Sequence, residues 1–251
     1  MKLTYLRTDD LAIVGRTPLL YIHSIRTLIL GDLHLGQLEA ILKSDSEFIS
    51  NNVMDIVSNI RAIGEELEIT RIILNGDIKH NTKHLSGQER GELEHLFSLS
   101  IFKTSEVVLV VGNHDPFLKM GIANLLQPHW IASKQFEVNG YLFTHGDIIP
   151  EVSEDIHTII LSHEHPSISL RDASGHSIRA KCFVELRFRN SKIHCVILPA
   201  SGRYTIGVKF PVKSKSRFLS EFLQQNAVIS SQVIYAFTNE LGPYRLENET
   251  L

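Results

Sequence analysis

Five short apolar runs, at 27–30, 71–74, 107–111, 141–143 and 158–161, each break off into a cluster of polar residues. Runs this rich in Ile, Val and Leu read as strands buried on both faces. Gly31-Asp32-Leu33-His34 follows the first, Asn75-Gly76-Asp77-Ile78-Lys79-His80 the second and Gly112-Asn113-His114-Asp115 the third. Thr144-His145-Gly146-Asp147 follows the fourth, and Ser162-His163-Glu164-His165-Pro166 the fifth. In open α/β sheets, sites lie beyond the carboxyl ends of the strands. Five strands of one sense would therefore aim Asp, Asn and His side chains at one rim. The glycines before Asp32, Asp77 and Asn113 permit tight turns there.

The intervening stretches carry helical periodicity. Phe48, Ile49, Val53, Ile56, Val57, Ile60 and Ile63 recur at helical spacing within 47–67, as do Leu93, Leu96, Phe97 and Ile101 within 89–102. Strand alternating with helix predicts right-handed crossovers and a largely parallel sheet. After Pro166 the pattern changes. Cys182, Val184, Leu186 and Phe188 alternate with Lys181, Glu185, Arg187 and Arg189, the period of a half-buried strand. A turn at 189–192 and a strand at 193–198 complete a hairpin that would bring Cys182 near Cys195, both read as reduced core residues. A short helix is expected within 215–225 and a strand at 232–238. No repeat or linker interrupts the chain, so 1–251 reads as a single domain, with the motifs within 28–166 and a basic, strand-rich part at 171–251.

Of 251 residues 43% are hydrophobic and 21% charged, which excludes collagen-like and intrinsically disordered chains. Two cysteines do not make a disulfide scaffold and favour a reducing compartment. No apolar run approaches the ~18 residues of a membrane helix, and residues 1–10 lack the pattern of a secretory signal. The expectation is a cytoplasmic protein with no membrane partner. Charge is unevenly spread: the whole chain carries −3, but 171–217 holds eleven Lys or Arg against Asp172 and Glu185. That stretch is either a polyanion-binding face or the solvated side of edge strands. Arg179, Lys181, Arg187 and Arg189 are its candidate nucleic-acid contacts.

Imidazole and carboxylate oxygen without cysteine suit Mn, Fe or Zn. The set is too large for one ion, and a shared carboxylate could bridge two ions ~3.5–4 Å apart, as in two-metal phosphoryl chemistry. Asp32 and His34 stand two residues apart, as do His163 and His165, so each pair can reach metal from a single turn.

In order and spacing, Gly31-Asp32-x-His34, Gly76-Asp77, Gly112-Asn113-His114-Asp115, His145 and His163-x-His165 resemble the calcineurin-like metallophosphoesterases, over roughly 28–166. Asp77-Ile78-Lys79-His80, His163-Glu164-His165-Pro166, Lys181-Cys182-Phe183 and Leu198-Pro199 further resemble the archaeal SbcD-related branch and its DNA-ligase-associated bacterial relatives. The resemblance implies an α/β fold, a four-layer α/β/β/α sandwich of two mixed sheets flanked by helices, with a dinuclear centre at one end. It places Asp32, His34 and His165 on one metal, Asn113, His145 and His163 on the other, and Asp77 between them. The implied cofactors are two divalent ions, Mn2+ favoured over Fe, Zn or Ni. His114 would contact the scissile phosphate and protonate the leaving group, oriented by Asp115 or Asp32, with His80 near the phosphate.

Ser162 stands where the family usually has Gly; a positive φ there would strain it. The expected activity is phosphodiester hydrolysis on nucleic acid, as a nuclease or end-processing enzyme in DNA repair. Hydrolysis of small substrates such as cyclic nucleotides is the alternative, and a catalytically inactive scaffold is another. A homodimer and, through the resemblance, DNA-repair proteins are candidate partners. Glu164 is expected to point away from the ligands. Asp147 is either a partner of His145 or a solvated carboxylate, and Trp130 is packing. His23, His84, His95, His129, His157, His176 and His194 match no motif and read as structural or exposed.

Overall fold

Seven strands form one sheet in chain order: β1 (Leu3–Tyr5), β2 (Leu11–Val14), β3 (Leu20–Ile22), β4 (Thr27–Gly31), β5 (Arg71–Asn75), β6 (Glu106–Val110) and β7 (Trp130–Ser133). The second sheet is built from β8 (Gln135–Val138), β9 (Tyr141–Thr144), β10 (Thr158–Leu161), β11 (Ser167–Arg171), β12 (Ser177–Phe188), β13 (His194–Ile197), β14 (Ile229–Phe237) and β15 (Tyr244–Glu249). Its order is β15-β14-β12-β13-β10-β9-β8, with β11 paired to β12. The structure is a computed structural model describing residues 2–42, 50–122, 125, 130–171, 174–189, 191–212, 214–226, 229–238 and 242–249. The predicted His129 and the residues 47–49 of the expected helix lie outside these.

β4 to β7 run parallel, as do β9, β10 and β13, while the remaining pairs are antiparallel. Both sheets are therefore mixed. Side-chain alternation shows why the apolar runs are unbroken. Leu28, Leu30, Ile72, Leu74, Val107 and Leu109 face the helices, while Ile29, Ile73 and Val108 face the second sheet. There Phe143, Ile160, Phe183 and Val196 meet them, and Leu142, Ile159, Leu161 and Ile197 face the other way. Helices α1 (Gln37–Leu42), α2 (Asn51–Glu66), α3 (Gly87–Phe97), α4 (Ile101–Thr104) and α5 (Leu118–Ile122) belong to the chain segments joining β4 to β7. α2 buries Val53, Ile56, Val57, Ile60 and Ile63 against the first sheet. The outer face of the second sheet is covered by Phe210, Val212, Phe218 and α6 (Glu221–Asn226). Two sheets between two outer layers give the expected sandwich, its fourth layer thin.

Four expectations need correction. The helix expected at 89–102 is two, α3 and α4, because Ser98 Oγ bonds back to the His95 carbonyl and ends the first. The helix expected at 215–225 is a 3-10 turn, Lys215–Arg217, and α6, because the Leu219 and Ser220 amides donate to the Glu164 carboxylate instead of continuing a helix. β12 is buried on both faces, not one: it is central, and Phe183 and Glu185 point into the space between the sheets. Cys195 stands opposite Leu186, four residues along β12 from Cys182, so the hairpin does not juxtapose the cysteines. Both are free and buried, and burial pushes their thiols well above the usual range. Among the described residues no helix is long and apolar enough to cross a membrane.

Glu185 makes a buried polar knot between the sheets. It accepts from Tyr235 Oη at 2.8 Å and the Arg7 amide at 3.1 Å, and His194 Nε2 lies 2.9 Å away. Burial raises its pKa, but His194, Tyr235 and the Arg7 amide outweigh it and hold the carboxyl below the ordinary glutamate range. A depressed carboxyl stabilises the fold above its unfolded pKa, and that contribution fades as pH falls through its folded pKa. Glu185→Leu should cost about 3–5 kcal/mol at pH 7. Urea melts should show the gap to wild type closing as pH drops below about 4.

Candidate metal centre

The loops that leave β4, β5, β6, β9 and β10 meet at the carboxyl ends of these strands, astride the two sheets. β4 delivers Asp32 and His34, β5 Asp77 and His80, and β6 Asn113 and His114. From the second sheet, β9 delivers His145 and β10 His163 and His165. One set of donor atoms, from Asp32, His34, Asp77 and His165, lies within 4.8 Å of one another. A second set comes from Asp77, His145 and His163, and a third joins His34, His80 and His114. Asn113 Oδ1 is 3.1 Å from His145 Nε2, on the second set's side. Asp77 belongs to both of the first two sets.

The distances suit cations. Donors bound to one ion at ~2.1 Å stand roughly 3.0–3.4 Å apart in tetrahedral or octahedral geometry. His145 Nε2 lies 3.1 Å from His163 Nδ1 and 3.3 Å from Asp77 Oδ1. His165 Nε2 lies 3.4 Å from both His34 Nε2 and Asp32 Oδ1. Facing ring nitrogens compete for a single proton, and divalent charge is the partner that satisfies all of them. Ionisation agrees. Burial raises Asp77 and Asp32, but the neighbouring imidazoles outweigh it and hold both carboxyls below the usual range. Burial, reinforced by His165 and His114 and opposed by Asp32 and Asp77, holds His34 down at about 3, a neutral ligand. Burial also pulls His145 down, yet the carboxylates of Asp77 and Asp32 leave it at about 9, so this ring takes up positive charge where the carboxylates demand it.

The backbone is strained where the donors sit. Asp32, His34, Asp77, His163 and His165 have φ of 51°, 46°, 47°, 67° and 45°. Left-handed backbone is uncommon outside Gly, though Asp and His tolerate it better than most. Gly76 has φ 83°, and a Cβ there would stand 2.2 Å from His145 Nδ1. At Gly112, whose φ is not positive, the need is space: a Cβ would stand 2.3 Å from Asp77 Oδ1.

Residues 25–198 match the calcineurin-like phosphoesterase (Metallophos) family, well over half of the chain. The chain belongs to this family. No curated protein sequence matches it. Among solved structures, Pseudomonas putida nuclease MPE superposes with a TM-score of 0.60 at 17% identity, covering 98% of this chain and 99% of that one. That likeness bears on the fold alone. The Aquifex aeolicus protein of unknown function AQ665 (17% identity, 55% of this chain, 77% of that one) has a TM-score of 0.33. Entamoeba histolytica Vps29 complexed with Zn2+ (11% identity, 88% of this chain, 98% of that one) also has a TM-score of 0.33. Neither carries an argument about this phosphoesterase.

Around the donors, buried acids hold backbone. Asp115 accepts from the Ile78, Lys79 and Gly112 amides at 2.8, 3.2 and 2.9 Å, tying the β5 loop to the β6 loop. Burial pushes it up to about 6. Its carboxylate is committed to these amides, so it does not orient His114 as expected. Asp32 does not either; it accepts from the His163 amide at 3.0 Å. The His114 ring is set instead by the His80 carbonyl, to which Nδ1 donates at 2.6 Å. Glu164 points away from the donors, as expected. Asp147 pairs with Lys134 Nζ at 3.1 Å and also biases His145 toward its charged form. Ser162 is not in the left-handed region; that strain falls on His163, and Ser162 Oγ accepts from Asn75 Nδ2 at 3.0 Å.

Sequence reasoning missed Glu89, which accepts from the His80 amide at 3.0 Å and so steadies that loop. The signal was present: Ser86-Gly87-Gln88-Glu89 is a capping box, and the structure closes it. The basic residues do not gather into one face. Arg179 donates to Ser167 Oγ and the Gly207 carbonyl. Lys181 is inward, donating to the Ala200 and Gly202 carbonyls, and burial lowers it to about 8. Arg187 and Arg189 lie toward the opposite end of β12, beside the start of β13.

Elemental analysis of the purified phosphoesterase should find two divalent ions per chain. Asp77→Asn should reduce this to one or none while leaving far-UV circular dichroism unchanged.

Proposed function

We propose that this phosphoesterase hydrolyses phosphodiester bonds of nucleic acid in the manner of the SbcD-like nucleases, with two Mn2+ ions. Asp32, His34 and His165 would hold one ion and Asn113, His145 and His163 the other. The observation that carries the reading is Asp77, shared by two complete donor sets with His114 and His80 beside them. Divalent ions bound there supply positive charge for the phosphoryl oxygens and activate a water near neutral pH.

The chain's own residues do the rest. The His114 amide donates to Asp77 Oδ1 at 2.9 Å, which fixes the shared carboxylate against the loop that carries the acid. With Nδ1–H committed to the His80 carbonyl, His114 Nε2 is the free ring atom; in the doubly protonated ring it carries the proton that can pass to the departing ester oxygen, leaving the neutral ring. The His80 ring stacks on it with centroids 5.5 Å apart, and burial, then the charges of His114 and Lys79, lower its pKa. The His80 ring can donate one hydrogen bond to a phosphoryl oxygen. Nucleic acid is preferred over small substrates because of the SbcD-like motifs.

A panel of single- and double-stranded oligonucleotides, cyclic nucleotides, nitrophenyl phosphate and bis-p-nitrophenyl phosphate with Mn2+ tests this. Oligonucleotides and the bis ester should be cleaved. His114→Ala should lower kcat on the bis ester by about 10²–10⁴ with both ions retained, and Asp77→Asn should abolish turnover. Undiminished turnover by Asp77→Asn overturns the two-ion reading. Cleavage confined to cyclic nucleotides overturns the nucleic-acid one.

A further inference from the structure

A cavity of about 740 Å³ opens between the β2–β3 turn, α2 and the segment 201–203 that follows β13. Its size is that of a small-molecule site. None of the nine residues placed at the metal donors or beside them lines it. The cationic side chains of Lys181 and Arg203 do, beside the acid Asp55. Arg203 Nη1 donates to Asp55 at 2.8 Å, which occupies one of five guanidinium donors. Lys181 Nζ donates to two carbonyls, Ala200 and Gly202, and an ammonium has three N–H groups, so one remains. Ser201, 6% exposed, has its Oγ buried without a hydrogen-bond partner among the described residues. A buried hydroxyl left unpaired is costly, and rotation of the Ser201 side chain toward the cavity that the residue lines would give it a ligand oxygen as partner.

We propose that this cavity is a second phosphate-binding site, taking a nucleotide-sized phosphomonoester. The cations and Ser201 match phosphate oxygens, with guanidinium well shaped for them. Pro18, Leu19, Ile56 and Phe237 supply apolar wall for a sugar and base, and Asn59 supplies an amide. The ligand is either a free nucleotide or the phosphorylated terminal nucleotide of a strand. Its pocket is linked to the metal centre by backbone. The Ser201 amide donates to the Gly31 carbonyl and the Gly202 amide to the Asp32 carbonyl, at 2.8 and 2.9 Å. Asn52 bonds both sides, donating to the Leu33 carbonyl and accepting from the Arg203 amide at 2.7 Å. An occupant would thus sit one hydrogen-bonded segment away from Asp32.

Calorimetric titration of the full chain tests this, as purified and again with EDTA, using inorganic phosphate, dAMP, and a short oligonucleotide with 5′-phosphate or 5′-hydroxyl. Binding of dAMP should persist in EDTA. Ser58→Glu, an added negative charge at an exposed lining position of α2, should weaken it at least tenfold, and Arg203→Gln should do the same. Ser58→Glu should leave kcat on bis-p-nitrophenyl phosphate unchanged. Tighter binding of the 5′-phosphorylated oligonucleotide than of dAMP identifies a strand end, and the reverse a free nucleotide. Equal dAMP affinity for wild type and both variants, or none in either condition, overturns the proposal. Because binding is read with chelator present, this outcome is independent of whether the hydrolytic reading stands.

Discussion

One carboxylate, Asp77, shared between two groups of ring nitrogens, sets the terms for the rest of this molecule. Asp32 and Asp77 come from the first sheet, and His145, His163 and His165 from the second. The donor distances are therefore fixed by how the sheets pack on each other, through Ile29, Ile73 and Val108 on one side and Phe143, Ile160 and Val196 on the other. A shift of an ångström between the sheets would open every cross-sheet distance at once. A close-packed interior resists such a shift far better than loops could. The strain of five left-handed residues, of order 1–3 kcal/mol each, is held by the same packing.

Buried acids around the donors are of two kinds, set apart by what prevails at each. At Asp32 and Asp77 the imidazoles outweigh burial and hold the carboxyls low. Asp115, Glu89 and Glu164 face backbone amides, and burial raises all three. The second kind replaces regular hydrogen bonding where chain must leave a strand and turn sharply, so that amides which would otherwise be buried and unpaired have acceptors. Proximity in sequence is a poor guide to the kind: Asp115 follows His114 directly yet serves two loops and not that ring. Position relative to the amides decides the matter, and it is set by tertiary structure.

The strands that carry the donors were legible because each is buried on both faces and so leaves an unbroken apolar run, and the donor residues were legible because they follow those runs. β1 to β3 were not, although β2 is as apolar and as buried as the run at 158–161, because no cluster of metal-donor residues follows them. The ends of α3 and of the 3-10 turn at 215–217 depend on Ser98 and on Glu164, the latter more than fifty residues away, and periodicity contains neither. Lys181 and Glu185 looked like the wet side of a strand because alternation in one strand cannot report whether a second sheet covers it.

That covering also divides the positive charge. Had β12 been an edge, its basic residues would have lined one solvated face along the strand. As a central strand it places Arg179 and Lys181 near the metal end, both donating to carbonyls, and Arg187 and Arg189 at the other end. Eleven basic residues in sequence thus supply few cations to any one place. Under the proposed reading, attraction of a polyanion to the rim would fall to bound divalent charge and to the short-range fit of the donors beside it. Long-range attraction is screened beyond about 8 Å at physiological salt. On that reading, selection among phosphate esters would be made by shape and hydrogen bonding close to the two donor sets, and net charge along the chain would have little part in it.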